Sequence, residues 1–445
     1  MLDLPEIPSP DFDAAQLDSM LELAKQRSGR LRRQHRQRRS IATAVALSLV
    51  AVVTLASIVG LSYGTRRAHT ALPRSKDTPG LARASVWKLV SDVTSGWAEI
   101  TSSDYETGGG LTCPTATTCY AEDAIVGQVE VTHDGGATWA QSTLPSGIEL
   151  NGGGLACPDA DTCSVLGQDI SGVSHFFTTT DGGQNWSSTP GPTQLSSGSL
   201  VSVLVCSTAA SCLAVVSSGF ALSTANGSGY GGPSTALVTT DGGESWAASD
   251  LPQGFDALSG QCSVGGNCLL TGFDEGSSAP GVVEHSSDGG SRWSPATIPA
   301  GVGPLTQVSC GDPSDCYATE FGGAGGVPQS GVLATSDGGE TWSTTGSGDL
   351  PDSLLTSISC PSSSYCWASG VIIPPGTSRA ITFADAQGLL ATTSDQGQTW
   401  QTAQLPTGVT AIGGISCPDT TTCFALGYSK PAVGRGTFVL LSYGG

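Results

Sequence analysis

One octapeptide recurs six times in this 445-residue chain, and no other feature restricts the possible folds as strongly. Each copy contains a Ser or Thr, an Asp two positions later, one or two glycines and a final Trp, as in TTDGGESW at 239–246. Successive copies lie 47 to 60 residues apart, which indicates repeated structural units such as those of solenoids and propellers. The copies begin at residues 132, 179, 239, 286, 335 and 393.

The cysteines repeat together with the octapeptides, because all 14 of them occur as C-x5-C pairs. Zinc sites are the alternative explanation, but they usually combine two neighbouring cysteine pairs with histidines. Here the pairs lie about 50 residues apart, and the five histidines show no ligand spacing. We therefore expect local disulfides, as in exported proteins, and neither a metal site nor a cofactor. The predicted bonds are Cys113–Cys119, Cys157–Cys163, Cys206–Cys212, Cys262–Cys268, Cys310–Cys316, Cys360–Cys366 and Cys417–Cys423.

The sequence between these markers indicates β-strands. GGISCPDTTTCFALG (413–427) is typical of a strand, a turn and a second strand, STALVTT (234–240) of a third strand and WAASDLP (246–252) of a fourth. Helical periodicity is absent from this part of the sequence. Four strands per unit and seven cysteine pairs predict an all-β fold, a seven-bladed β-propeller of four-stranded blades over residues 87–445.

The two ends of the repeat region are complementary. TFVLLSYGG (437–445) has Tyr443 at the Asp position of the octapeptide and no fourth strand after it. LVSDVTSGW (89–97) is similar to a degenerate octapeptide, and WAEITSS (97–103) follows it in the place of a fourth strand. We expect this N-terminal strand to close the last blade, which would leave no open sheet edge there.

The octapeptide resembles the Asp box, or BNR repeat, S/T-x-D-x-G-x-x-W, of sialidase-like, sortilin-like and photosystem II assembly factor-like propellers. The resemblance covers about residues 90–445 and implies a propeller whose boxes lie away from the functional face. Turn chemistry agrees with a structural role, because Gly allows a positive φ and Asp accepts hydrogen bonds from turn N–H groups. The box residues are Asp134, Asp181, Asp241, Asp288, Asp337, Asp395, Trp139, Trp186, Trp246, Trp293, Trp342 and Trp400.

The N-terminal part of the sequence predicts a membrane anchor. IATAVALSLVAVVTLASIVGLSY (41–63) has 23 residues without a charge, enough to cross a hydrocarbon core of about 30 Å. Eight basic residues in 25–39 precede it, which predicts a cytoplasmic N-terminus. The alternative is a cleaved export signal, which would also place the propeller outside the cytoplasm. We expect a single-pass membrane protein with a cytoplasmic segment (1–40), a transmembrane helix (41–63), a linker (64–86) and an extracytoplasmic propeller (87–445). The cytoplasmic segment could bind a cytoplasmic partner.

Charge and motifs exclude several functions. Residues 91–445 hold four Lys and Arg against 31 Asp and Glu, so nucleic-acid binding by this part is excluded. Sialidases in the resembling family bind the substrate carboxylate with three arginines. Arg292 lies in an octapeptide, which leaves Arg379 and Arg435, so sialidase activity is disfavoured. The GxSxG, HExxH and P-loop motifs are absent from the sequence.

Loop lengths locate the candidate binding residues. From the second Cys of a pair to the octapeptide Asp there are 15 to 29 residues, whereas from Trp to the next Cys there are 16 to 20. Variation is therefore concentrated in the loops between second and third strands, where function is commonly found. The alternative is that these loops only pack on each other. The candidate binding residues are Phe220, Tyr230, Glu320, Phe321, Trp367, Arg379, Phe383 and Asp385.

These features together predict a membrane-anchored module that binds an extracytoplasmic protein or a cell-wall glycan through its long loops. The alternative is a glycoside hydrolase acting on extracellular polysaccharide, which would need two carboxylates about 5–10 Å apart.

Overall fold

Seven four-stranded antiparallel sheets form the described part of the protein, so the predicted all-β, seven-bladed propeller is confirmed. In six sheets the strands follow one another from the innermost to the outermost in chain order. The computed structural model describes residues 87–92, 110–123, 128–145, 147–150, 154–195, 199–217, 234–274, 280–323, 327–373, 387–429 and 437–444.

The strands divide evenly among the blades. Blades 1 and 2 comprise β2 (Leu111–Thr112), β3 (Cys119–Asp123), β4 (Gln128–Thr132) and β5 (Ala140–Ser142), then β6 (Ile148–Leu150), β7 (Cys163–Asp169), β8 (Ser174–Thr179) and β9 (Ser187–Pro190). Blades 3 and 4 comprise β10 (Leu200–Cys206), β11 (Cys212–Ser217), β12 (Ser234–Thr239) and β13 (Ala247–Asp250), then β14 (Phe255–Cys262), β15 (Cys268–Asp274), β16 (Gly281–Ser286) and β17 (Ser294–Pro295).

The remaining blades follow the same plan. Blades 5 and 6 comprise β18 (Leu305–Cys310), β19 (Cys316–Gly323), β20 (Val327–Thr335) and β21 (Ser343–Thr344), then β22 (Ser353–Ser362), β23 (Tyr365–Ile372), β24 (Gln387–Thr393) and β25 (Gln401–Thr402). A short 3-10 helix, Ser347–Asp349, precedes β22. Blade 7 comprises β26 (Val409–Ser416), β27 (Cys423–Ser429), β28 (Thr437–Tyr443) and, as its outermost strand, β1 (Lys88–Asp92).

Turns lie on two opposite faces of the ring. The C-x5-C turns join first and second strands, the octapeptides join third and fourth strands, and we call the face that carries both the disulfide face. Backbone hydrogen bonds tie the two turns of a blade together. The six N–H donors and C=O acceptors are Gly135–Thr117, Gly182–Asp161, Gly242–Ala210, Gly289–Gly266, Gly338–Ser314 and Gln396–Ser364, at 2.8–3.3 Å. The opposite face, which we call the loop face, carries the second–third loops and the connections between blades.

All seven predicted disulfides are present, and each closes the turn between the first two strands of a blade. The Cα atoms of the paired cysteines lie 3.9–4.1 Å apart, directly opposite each other across the hairpin. No cysteine is left as a free thiol. Each bond closes a small loop, which on the chain-entropy account stabilises the fold by about 2 kcal/mol.

Apolar side chains fill the interfaces between neighbouring blades. Between blades 2 and 3, for example, Leu166 and Phe176 pack with Val201, Leu204 and Leu237. Buried apolar side chains on both faces of a sheet are expected when each blade is covered by a neighbouring blade on either side. The hydrophobic core of the protein is therefore a series of layers around the ring.

Side-chain hydrogen bonds join the innermost strands of successive blades. The Cys417 N–H of blade 7 donates to Ser359 Oγ of blade 6 at 2.9 Å, and the Cys360 N–H donates to Ser309 Oγ of blade 5 at 2.9 Å. The same bond closes the ring, because the Cys113 N–H of blade 1 donates to Ser416 Oγ of blade 7 at 2.9 Å. In blades 5, 6 and 7, the side-chain oxygen immediately before the first cysteine therefore accepts from the first cysteine of the next blade.

We expect Ser359→Ala to lower the free energy of unfolding by about 1 kcal/mol, because the half-buried Cys417 N–H loses its acceptor. Chemical unfolding followed by circular dichroism measures the change. Thr344→Ala in the exposed strand β21 is the matched control and should leave stability unchanged. Equal stability of Ser359→Ala and the native protein would contradict a contribution of this bond to the ring.

The closing strand of blade 7 differs from the predicted one. An N-terminal strand does complete the blade, as expected, but it is β1, in which Lys88 lies opposite Ser442 and Asp92 opposite Val439 of β28. The predicted strand 97–103 is therefore wrong in position, and its residues lie outside the described ranges. Two tryptophans in this region are each followed by a β-type run, and the octapeptide-like spacing favoured the wrong one.

Trp87 is the structural counterpart of the octapeptide tryptophans. Each of the six octapeptides ends in a Trp that directly precedes the fourth strand of its blade, and Trp87 directly precedes β1. Its side chain is 3% exposed and lies edge-on to Trp367, with ring centroids 5.2 Å apart. Tyr443 lies opposite Cys423, which is the place of the first Ser or Thr of the octapeptide in the other blades and not the predicted Asp position. Its ring centroid lies 5.6 Å from that of Trp87. The seventh turn element is thus assembled from two distant parts of the chain.

Among the residues that the structure describes, no helix has the length and apolar character needed to cross a membrane. The predicted span 41–63 lies outside those residues, as do the predicted cytoplasmic segment 1–40 and linker 64–86.

Candidate functional site

The octapeptide turns on the disulfide face are held by their own side chains. In blade 3, Thr239 Oγ1 donates to Asp241 Oδ1 at 2.8 Å and accepts from the Gly243 N–H at 2.9 Å. Asp241 also accepts from Ser245, at 2.9 Å from its N–H and at 2.5 Å from its hydroxyl. Hydrogen bonds from the Ser245 side chain and backbone lower the pKa of Asp241 to about 2. The carboxylate is therefore fully occupied by its own turn.

The same arrangement is found in the other five octapeptides. The hydroxyl of the first Ser or Thr donates to the Asp carboxylate at 2.7–2.9 Å in each, in the pairs Thr132–Asp134, Thr179–Asp181, Ser286–Asp288, Thr335–Asp337 and Thr393–Asp395. The pKa of Asp134 falls to about 2, mainly through hydrogen bonds from Thr138. The octapeptide Asp side chains are thus used to build turns.

The second glycine of the octapeptide touches the preceding blade. A Cβ on Gly243 would overlap the ring of Phe176 in blade 2, and a Cβ on Gly136 would overlap Leu440 in blade 7. Both glycines also have a positive φ, of 86° and 87°. Because only glycine satisfies both conditions, the repeated octapeptide is explained by blade packing.

One octapeptide carries a strained residue. In TSDQGQTW, Gln396 stands where the other copies have the first glycine, and its φ is 62°. A left-handed backbone costs a non-glycine residue about 1–2 kcal/mol. No described neighbour requires the Gln side chain at this position, since its backbone alone bonds to Ser364.

We expect Gln396→Gly to raise the free energy of unfolding by about 0.5–1 kcal/mol, because relief of strain exceeds the extra freedom that glycine gives to the unfolded chain. The reciprocal change Gly242→Gln, at a position where a Cβ would meet only the Ala209 carbonyl oxygen at an ordinary contact distance of 3.7 Å, should be destabilising by a similar amount. Thermal unfolding of both variants measures the difference. A loss of stability in Gln396→Gly would show that the left-handed backbone is not the dominant cost.

Five of the eight candidate binding residues predicted from the sequence lie outside the part of the chain that the structure describes. Phe220, Tyr230, Arg379, Phe383 and Asp385 lie outside the described residues. Phe321 belongs to β19, and its side chain is not described. Glu320 and Trp367 are described, and both are buried.

Trp367 is a core residue, so its predicted place in an exposed binding patch is wrong. Its side chain is 2% exposed, and its indole N–H donates to the Tyr365 hydroxyl at 2.9 Å. It directly follows Cys366, the second cysteine of blade 6, within β23 (Tyr365–Ile372). The position after the second cysteine repeats in every blade, so the sequence already indicates a common environment for it. The equivalent residues of the other blades are buried as well, namely Tyr120, Ser164, Leu213, Leu269, Tyr317 and Phe424.

Glu320 has a structural task. Its side chain is 8% exposed, and Oε1 accepts a hydrogen bond of 2.7 Å from the Gly303 N–H in the connection that leads into blade 5. Burial raises the pKa of this carboxyl group, while the Gly303 N–H opposes the shift. Glu320 therefore fixes the chain between two blades and has little surface to offer a ligand.

Sequence reasoning missed an apolar pair at the loop face. The turn between β7 and β8 exposes Ile170 by 67% and Val173 by 55%. Asp169 holds this turn, since its Oδ1 accepts from the N–H groups of Ser171 at 2.7 Å and Val173 at 3.1 Å. Its Oδ2 lies 3.4 Å from His175 Nε2. The sequence indicates this pair by the apolar residues on both sides of the turn in QDISGV (168–173). This turn is shorter than the long second–third loops from which the candidate binding residues were chosen.

Glu284 on β16, a buried carboxyl group, was also missed. It is 1% exposed, its Oε2 has no hydrogen-bond partner, and it lies opposite Leu270 in the apolar interface between blades 3 and 4. Burial raises its pKa to about 7. A shifted pKa can mark a catalytic acid, but this carboxyl group is out of reach of a substrate.

The described residues offer no evident small-molecule or metal site. No group of three or more His, Cys, Asp or Glu side chains in these ranges is placed to hold a metal ion. Two cavities, of about 140 and 110 Å³, lie between blades on the disulfide face. Small-molecule pockets usually measure about 300–1,000 Å³. Neither of these two cavities is large enough for a ligand of sugar or peptide size.

Comparison with known proteins supports the fold alone. No family model matches the sequence. No curated protein matches it either. Among solved structures, YCF48 bound to a D1 peptide is 17% identical, with a TM-score of 0.50, over 76% of this chain and 93% of that chain. YCF48 from Cyanidioschyzon merolae is 17% identical, with a TM-score of 0.50, over 81% of this chain and 98% of that chain.

An enzyme is among the similar structures. The GH74 xyloglucanase from Xanthomonas campestris is 14% identical, with a TM-score of 0.50, over 79% of this chain. The match covers 55% of the length of that enzyme. The seven blades, their disulfide-closed hairpins and these likenesses lead to one conclusion: the chain is a seven-bladed β-propeller that is similar in fold to YCF48 and to the GH74 xyloglucanase.

Proposed function

We propose that this protein is a membrane-anchored, extracytoplasmic propeller of the Asp-box type that binds a protein or a cell-wall glycan at its loop face. The observation that carries the proposal is the exposed apolar pair Ile170 and Val173 on a turn held by Asp169. Apolar side chains presented on a rigid turn are typical of protein contacts. The octapeptide Asp side chains of the opposite face are occupied by their own turns, which supports recognition at the loop face.

A propeller of similar fold supports a protein partner. The YCF48 structure contains a bound D1 peptide, so a propeller of this shape is able to hold a polypeptide. The sequence supports export and anchoring through the uncharged segment 41–63 and the disulfides, which are typical of oxidising compartments. The proposed binding surface includes the connections 218–233 and 374–386, because the sequence predicts binding residues in them.

Cross-linking in the cell envelope of the source organism tests the proposal. The full chain, the double variant Ile170→Ser/Val173→Ser and deletions within 218–233 or within 374–386 are compared by mass spectrometry of cross-linked partners and by binding to isolated cell wall. We expect the double variant and at least one deletion to lose a partner at least tenfold while keeping all seven disulfides. The matched control is Val264→Ser, since Val264 is 80% exposed on the disulfide face and should not matter. Undiminished capture by the loop-face variants would overturn the assignment.

A polysaccharide hydrolase is the second candidate, and the fold likeness to the GH74 xyloglucanase supports it. Incubation of the purified protein with xyloglucan and related glucans, followed by measurement of new reducing ends, separates the two proposals. A binding module leaves the polymer intact. Release of oligosaccharides that persists in Ile170→Ser/Val173→Ser would establish the enzyme instead.

A further inference from the structure

We propose that the disulfide face is turned toward the membrane and that the loop face points away from it, toward partners in the cell wall or the surrounding space. The inference rests on the proposed membrane anchor and adds an orientation to it. It follows from the direction of one strand, β1, and from the residue at which that strand begins.

The register of β1 fixes the end of the blade at which the N-terminal segment arrives. Lys88 lies opposite Ser442 on β28, and the next residue of β28, Tyr443, lies opposite Cys423 on β27. Cys423 belongs to the disulfide that closes the first hairpin of blade 7. The chain therefore enters β1 at the disulfide face and runs toward the loop face, where Asp92 lies opposite Val439.

The point of entry is held rigidly. Trp87 is 3% exposed, and its ring contacts Trp367 and Tyr443 at centroid distances of 5.2 and 5.6 Å. Trp87 is thus fixed between blades 6 and 7 at the disulfide face. Everything that precedes it in the sequence, including the proposed span 41–63, is attached to the propeller from that face.

The length of the predicted linker limits how far the propeller can rotate relative to the membrane. The predicted linker 64–86 has 23 residues, and a random coil of that length has an end-to-end distance of about 25–30 Å. A blade is roughly 20 Å tall, because its strands have about six residues at about 3.3 Å each. With a tether of this length, the face that carries the attachment point stays nearer to the bilayer on average. The loop face, with Ile170 and Val173, is then presented outward.

Energy transfer to labelled lipids tests the orientation in the full chain. All native cysteines are in disulfides, so one introduced thiol is labelled selectively. Thr180→Cys on the disulfide face and Ser171→Cys on the loop face are exposed positions near opposite ends of β8 in blade 2. Each variant carries a donor dye and is reconstituted into vesicles that contain acceptor-labelled lipid. We expect at least twofold higher transfer from position 180 than from position 171.

A second pair of positions controls for tilt. Ser287→Cys on the disulfide face and Pro280→Cys on the loop face belong to blade 4, which is almost opposite blade 7 in the ring. The same order of transfer is expected for this pair. Equal or reversed transfer in both pairs, with the protein stably bound to vesicles, would overturn the orientation alone. Failure of the full chain to bind vesicles at all would overturn the anchor and, with it, the orientation.

Discussion

Replacement of Trp87 by alanine is expected to lower the free energy of unfolding by about 4 kcal/mol. Removal of a fully buried Trp costs about 3–5 kcal/mol through lost burial and the cavity left behind. Trp87 is 3% exposed and packs edge-on against Trp367. It also positions β1, the outermost strand of blade 7, so its loss weakens the closure of the ring. Guanidinium unfolding followed by circular dichroism measures the shift in midpoint.

Two controls make the Trp87 result specific. Leu89→Ala in the same strand changes a side chain that is 53% exposed and should alter stability by less than about 0.5 kcal/mol. Trp97→Ala tests the residue that the octapeptide-like spacing favoured. A large loss of stability in Trp97→Ala combined with none in Trp87→Ala would reverse the assignment of the closing element.

Replacement of Glu284 by leucine is expected to stabilise the protein by about 3 kcal/mol at pH 8 and by much less at pH 4. Burial raises the pKa of Glu284 from 4.5 to about 7. Between these values the folded state binds more protons than the unfolded state, so stability falls as pH rises. Above pH 7 the full cost of about 3 kcal/mol is present, at about 1.4 kcal/mol per unit of pKa.

Leucine suits the position because the equivalent residue is apolar in five of the six other blades, the exception being Glu130 of blade 1. The equivalent residues, two positions before the Ser, Thr or Tyr that opens the last turn, include Phe177, Leu237, Leu333 and Leu441, all buried. Glu284→Gln should remove the pH dependence and keep the polar burial, while Glu340→Leu at an exposed position controls for hydrophobicity. Thermal unfolding from pH 4 to 8 provides the measurement. An unchanged pH dependence in Glu284→Leu would show that this carboxyl group is not the buried acid inferred here.

The repeat made most of the fold predictable from the sequence. Local cysteine pairs and turn signals recur in every unit, so the number of blades and all seven disulfides follow from one-dimensional spacing. The closing strand was misplaced because it pairs with β28 across most of the chain, and no local signal distinguishes Trp87 from Trp97. Pairing between distant segments is set by packing that a single sequence does not display.

The candidate site was less predictable for a related reason. Trp367 was assigned to a loop although it follows Cys366 within a strand, where alternation places it in the core. Ile170 and Val173 were missed because aromatic residues and loop length guided the choice. Glu284 escaped notice because a single acidic letter in a β-run does not reveal which face of the blade it occupies. For each of these residues, the direction of the side chain determines whether it is buried or exposed, and residue type alone does not reveal that direction.

The side-chain hydrogen bonds that join the innermost strands of neighbouring blades are not distributed evenly around the ring, and this affects where the ring opens most easily. Blades 4 to 7 carry Gln261, Ser309, Ser359 and Ser416 before their first cysteines, and each of these side chains binds the next blade. Blades 2 and 3 have Ala156 and Val205 there, which have no side-chain acceptor. These bonds therefore join the innermost strands from blade 4 through blade 7 to blade 1, whereas blades 2 and 3 lack them, and Glu284 lies at the interface between blades 3 and 4. Because other contacts, such as the bond from Ser249 Oγ to the Ser291 carbonyl oxygen, join the blades there, we expect thermal agitation to separate the innermost strands first between blades 2 and 4 while the outer strands stay in contact.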